Sequence, residues 1–171
     1  AYHLTKTNIT IPDLNNPGFS SQAGEARSQG IELDVTGEIL PGWKVIASYA
    51  YADAEITEAI PILEGNQLRG APENQASFWT TYEIQKGNLK GLGFGLGLFF
   101  VGQRQGDDLN TFQVDDYLRT DAAIFYRRDG FNAAINIRNL FDVDYVSVPF
   151  RQSAVQRGAP FTIIGSVSWE L

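Results

Sequence analysis

The residues able to do chemistry are few, and their spacing argues against catalysis. His3 is the single histidine, it has no Ser or Cys beside it, and the chain contains no cysteine at all. Acid–base or nucleophilic work needs titratable groups that converge, and a thiolate metal site or disulfide framework is excluded. The acidic pairs Asp107-Asp108 and Asp115-Asp116 fall in one hydrophilic stretch, where a solvated loop is a simpler reading than a divalent-cation site. Gly91, Gly93, Gly95 and Gly97 alternate with large apolar residues. No helix follows them, so they do not form a phosphate cradle; they suit the close approach of a plug or loop to one face. No catalytic residue, metal site or bound cofactor is expected. The best binding candidate lies in 147–157, where Phe150 precedes Arg151 and Gln152, with Arg157 at the end. That is aromatic area beside cationic and amide groups, a pattern shared with an ordinary surface loop around a buried Phe.

Bulk properties narrow the class. The formal charge of -7 excludes a nucleic-acid partner, because nothing is available to neutralise a phosphate backbone. Hydrophobic residues make up 43%, yet the longest weakly polar stretch, 91–102, is short of the ~20 residues a membrane-spanning helix needs. It suffices for a transmembrane strand of ~9–11 residues. A chain without Met that starts at Ala1 leads to the expectation of a processed protein or a piece of a longer one, its signal peptide gone.

Period-two alternation runs through most of the sequence. It predicts eight strands at about 2–11, 26–39, 43–55, 74–85, 91–103, 117–128, 131–140 and 161–171, punctuated by Gly, Pro, Asn and Asp. Long connectors (11–25, 57–73, 106–116, 142–157) alternate with short ones (40–42, 86–88, 129–130), as in outer-membrane barrels with short periplasmic turns and longer extracellular loops. Sorting by parity puts Ile31, Leu33 and Val35 opposite Glu32, Asp34 and Thr36, and Leu92, Phe94, Leu96, Leu98 and Phe100 opposite the glycines. Likewise Phe161, Ile163, Val167, Trp169 and Leu171 oppose Thr162, Ser166, Ser168 and Glu170. Trp79 falls on the polar side against the pattern, as a plug contact or through a bulge. Polar-side Glu32, Asp34, Arg119, Asp121, Arg127 and Arg138 either line a path or pair with one another. Aromatics near strand ends (Trp43, Tyr51, Tyr82, Tyr126, Phe131, Trp169) suit interfacial girdles. The fold class expected is all-β, an antiparallel transmembrane β-barrel. About eight strands can close a small barrel or form an arc of a larger one.

Local wording favours the arc. Residues 27–35 (RSQGIELDV), the turn Pro41-Gly42-Trp43 and 47–56 (ASYAYADAEI) resemble TonB-dependent siderophore receptors of the ferric-hydroxamate, ferrichrome-like kind. So do 70–79 (GAPENQASFW), 101–104 (VGQR), 136–142 (NIRNLFD) before Tyr145, and 158–161 (GAPF) leading into the last strand. The resemblance covers essentially the whole chain in order, and the NLFD…Tyr element before the terminal strand is its most specific part. It implies that residues 1–171 are the C-terminal segment of a barrel of about 22 strands whose plug domain lies elsewhere. The implied partners are a ferric siderophore as transported ligand, TonB through the plug, outer-membrane lipids, and the assembly machinery through the last strand. That strand ends in Leu171, where the family usually has Phe. The implied function is siderophore import across the outer membrane, with Phe150 matching an aromatic that touches the ligand, and Arg151 and Arg157 attracting an acidic ferric chelate. The alternative is a self-closed eight-stranded barrel with an anchoring role.

Overall fold

In the computed structural model, residues 1–13, 15–16, 18–151 and 154–170 are described, and the side chains of 12, 23, 150, 151 and 154 are not. Leu171 and Gln152 therefore lie outside the described residues. Eight strands form one antiparallel sheet: β1 (Tyr2–Pro12), β2 (Ser20–Leu40), β3 (Trp43–Glu58), β4 (Asn74–Glu83), β5 (Leu92–Val101), β8 (Tyr117–Arg128), β9 (Phe131–Arg138) and β12 (Thr162–Trp169). Two small ribbons decorate it, β6 (Arg104–Gln105) with β7 (Gln113–Val114), and β10 (Val146–Arg151) with β11 (Ala154–Arg157). All eight expected strands are present in sequence order. The sheet is not closed: β1 and β12 stand at its two edges.

The turns follow local chemistry. Asp129 and Gly130 take positive φ of 50° and 80°, the two left-handed residues of a tight hairpin turn. At Pro41-Gly42 the glycine (φ 82°) also packs against the neighbouring turn, where a Cβ would lie 2.3 Å from the Glu83 carbonyl oxygen. The connectors departed from expectation in detail. β1 and β2 run on to Pro12 and Ser20, shortening the first connector to 13–19, and the short one after β4 lengthens to 84–91. The stretches 102–116 and 139–161 are not plain loops but fold back as the β6–β7 and β10–β11 ribbons. Alternation of longer and shorter connectors survives these shifts.

Register sorts the faces as parity requires. Ile31 pairs with Tyr51, Leu33 with Tyr49 and Val35 with Ala47; Phe94, Leu96 and Leu98 pair with Ile124, Ala122 and Thr120. These rows share one face, and it is bare: Val35 is 63% exposed, Leu96 43% and Val167 74%. At the short-turn end the same face carries Trp43 paired with Tyr82, and Phe131 edge-on to Trp169 with centroids 5.7 Å apart. Towards the other end Tyr49 donates a hydrogen bond to Asn74 (2.8 Å), and beyond Tyr51 the face turns polar with Gln29, Asp53, Arg27 and Glu55. An apolar band bounded by aromatics on both sides is what a bilayer selects. The buried apolar residues Ile11, Ala26, Ala54, Ile56 and Leu63 gather at the long-connector end, where 59–73 folds back on β3: Leu68 and Ile56 amides donate to Ala54 and Asn66 carbonyls (both 2.9 Å).

Candidate functional site

The polar face is furnished rather than empty. Ile46, Trp79 and Gly97 stand in one cross-strand row, and the β3–β4 pairing is regular throughout. Trp79 therefore reaches this face by normal register, and the bulge explanation falls. Its ring covers the glycine ladder: a Cβ on Gly97 would lie 2.4 Å from the ring, and one on Gly95 2.9 Å. Phe125 does the same over Gly93, at 2.2 Å. Gly93, Gly95 and Gly97 thus make room for two rings of this chain, whereas their spacing suggested the close approach of a plug or loop. A backbone stripped of side chains is shielded by the flat face of an aromatic ring.

At either end of the glycine ladder an arginine on this face pairs with a carboxylate. Arg119 donates to Asp121 through Nε and Nη2 at 3.0 and 3.1 Å and lies over the Phe99 ring, 4.5 Å from its centroid. Arg127 lies over Phe125 at 4.4 Å and 3.6 Å from Glu83. Glu32 and Asp34 border a separate open cavity of about 450 Å³ with Ser48, Gln75 and Ser77.

Above Arg119 a platform joins the two ribbons to the wall. Tyr145 stacks on Tyr117 with centroids 4.3 Å apart, and Arg119 Nη1 reaches the Tyr145 hydroxyl at 3.5 Å. Arg104 is 4% exposed, donates to the Val146 carbonyl, and sits 5.7 Å from the Tyr117 ring centroid. Burial pushes its pKa below the usual arginine value, partly offset by Tyr117. Its Nη1 and the Gln105 Oε1 find no partner among the described residues.

The Asn139–Asp142 motif proves to be structural. Asn139 is completely buried with φ 54°. It accepts from the Val143 amide (2.9 Å) and donates to the carbonyls of Val143 and Ala159 (3.0 and 3.1 Å). Its own amide donates to Asp121 (2.9 Å), and Asp142 accepts from the Phe161 amide (2.7 Å). One turn thereby ties the exit of β9 to the entry of β12, and holds Tyr145 over Tyr117.

Of the sequence candidates, Phe150 and Arg151 end β10 and only their backbone is described, while Gln152 lies outside the described residues. Arg157 ends β11, exposed, with its guanidinium 3.9 Å from Asp144. Arg157 and Asp144 border a cavity of about 380 Å³ between the ribbons, with Phe112, Tyr145, Asp115 and Asp116. Sequence reasoning missed Arg104, Tyr117 and Phe112. Arg104 and Tyr145 stood inside quoted motifs, yet nothing in their spacing foretold that they would meet. Among the described residues no group of three or more His, Asp or Glu is placed to hold a metal ion.

Comparison with known proteins places this arrangement. Residues 1–140 match the family described as TonB dependent receptor-like, beta-barrel. Over 170 residues the chain is 34% identical to the metal-pseudopaline receptor CntO of Pseudomonas aeruginosa, covering 98% of this chain and 24% of that one. It is 33% identical over 173 residues to the ferrichrome outer membrane transporter/phage receptor of Escherichia coli, covering 98% and 23%. The crystal structure of the siderophore receptor PiuA from Acinetobacter baumannii superposes with a TM-score of 0.84 at 27% identity, covering 98% of this chain and 25% of that one. The chain spans about a quarter of the length of the relatives it matches.

Proposed function

Because the chain belongs to the TonB-dependent receptor-like β-barrel family of the outer membrane, we propose that it supplies the C-terminal eight strands of a barrel of about 22, and that the whole receptor imports a ferric siderophore of the hydroxamate class. The apolar face then meets lipid and the polar face the lumen. Unpaired backbone at the β1 and β12 edges has no water to satisfy it inside a bilayer, so in this arc both edges pair with further strands of the receptor. The open sheet, in which β1 and β12 do not pair with each other, weighs against a self-closed eight-stranded anchor. The plug, and TonB acting through it, belong to the remainder of the receptor. β12, with Val167 and Trp169 outward, is the segment offered to the assembly machinery.

The observation that carries this reading is the match across 98% of the chain to a metal-pseudopaline receptor and to a ferrichrome transporter, on a sheet whose largely apolar face runs from β2 to β12. The relatives are receptors and transporters, not enzymes, and this chain's titratable groups serve ion pairing and packing. Iron would arrive held by its own chelator, as cargo. The ligand class rests on the ferrichrome-transporting relative and on the last connector, where Phe150, Arg151, Gln152 and Arg157 would meet the chelate. Uptake of iron-labelled trihydroxamate by cells with the complete receptor is the test: uptake should require TonB, and TonB-independent or absent uptake overturns the reading. Expressed alone, residues 1–171 should misassemble; a monodisperse, heat-modifiable barrel from them would overturn the arc.

A further inference from the structure

The end of the sheet at which a ligand would arrive is acidic. Connectors 13–19, 59–73, 102–116 and 139–161 together hold nine carboxylates and four arginines, whereas the connectors at the opposite end hold Lys86 and Lys90 against Asp129, with Glu170 beside them after β12. The arginines count for less than their number. Arg104 is buried behind Val146, and Arg157 faces Asp144 at 3.9 Å. An approaching anion therefore meets repulsion where Arg157 alone would have predicted attraction, and a cation is drawn in.

The cavity between the ribbons repeats this chemistry at contact range. It is an open hollow of about 380 Å³, lined by Phe112 and Tyr145 and by Asp115, Asp116 and Asp144, with Arg157 the single cation on its border among the described residues. That volume is at the low end for small-molecule sites, so it suits one limb of a chelate rather than a whole one. Aromatic faces beside carboxylates are the surroundings an ammonium group prefers, and an anionic catecholate or carboxylate limb would be repelled.

We infer that the receptor selects ferric chelates of zero or positive net charge, and that a protonated amine limb of the chelate seats between the β6–β7 and β10–β11 ribbons. The inference rests on the import reading above and specifies its ligand.

The test uses the purified complete receptor and three probes: a ferric trihydroxamate with a free terminal amine, the same chelate N-acetylated, and a ferric tricatecholate of charge 3−. Binding titrations at low salt should favour the amine form over its acetylated twin by about threefold or more. The tricatecholate should bind most weakly, and added salt should narrow every gap. Asp115 and Asp116 are exposed, so Asp115→Asn with Asp116→Asn should leave heat-modifiability unchanged while bringing the two trihydroxamates to equal affinity. Equal affinities in the unaltered receptor, or preference for the tricatecholate, overturn the inference and leave import intact. A gap that persists in the double variant overturns the cavity seat. Binding of none of the three overturns the import reading with it.

Discussion

Leu96→Arg in the complete receptor tests which face meets lipid. Leu96 lies near the middle of β5, between Thr80 and Ala122 on the apolar face, and is 43% exposed, so in lipid its side chain would contact acyl chains. An arginine at the midplane of a barrel's lipid face costs about 2–4 kcal/mol. Ser48→Arg is the matched control on the other face. Ser48 shares a 2.6 Å hydrogen bond with Ser77 and pairs with Asp34 across β2. Losing that bond costs about 0.5–1.5 kcal/mol, and the nearby Asp34 carboxylate offsets part of it, leaving a net cost below about 1 kcal/mol. Reversible unfolding in lipid vesicles, read by tryptophan fluorescence, measures both. Equal costs, or a larger one at Ser48, would refute the face assignment and the membrane reading of the apolar band with it.

Gly97→Ala should destabilise by about 1–3 kcal/mol, because its Cβ would strike the Trp79 ring 2.4 Å away; in a double-mutant cycle by urea unfolding, Trp79→Ala should absorb most of that cost. Asn139→Ala removes a fully buried amide from a left-handed position and should cost about 2–4 kcal/mol in the same assay, with Asn139→Gly milder because it accommodates the φ. Phe150→Ala with Arg151→Ala should weaken binding of the cognate ferric siderophore in titrations on purified receptor without changing its abundance; unchanged affinity would move the contacts outside this chain. The Asp13 carboxyl is held below its usual range, first by the Asn16 side chain and then by the Asn15 amide. A lowered folded pKa means its contribution is complete above about pH 3.9 and lost as pH falls through the lower folded value, so hydrogen-exchange protection of the Asn15 amide, which donates to Asp13, should decline in that acid window.

Strand number, order and facing were legible because alternation is a local property: each residue in extended backbone points opposite to its neighbour whatever the chain does elsewhere. Leu92, Phe94 and Leu96 therefore declared one face unaided, and Asp129-Gly130 declared a turn through its own φ preferences. The apolar faces, the connector pattern and the quoted motifs were enough to reach the family. Tertiary structure alone decided what fills the polar face. Trp79 covers Gly95 and Gly97 only because β4 and β5 adopt one register, and the glycine spacing fitted an incoming plug equally well. The connectors lack a period, so neither the two ribbons nor the meeting of Arg104, Tyr117 and Tyr145 could be anticipated from residues as far apart in sequence as 104 and 145. That Arg157 faces Asp144 and shares a cavity with Asp115 and Asp116 was hidden for the same reason. Local conformational preference is written residue by residue, while burial and electrostatics depend on which distant residues become neighbours.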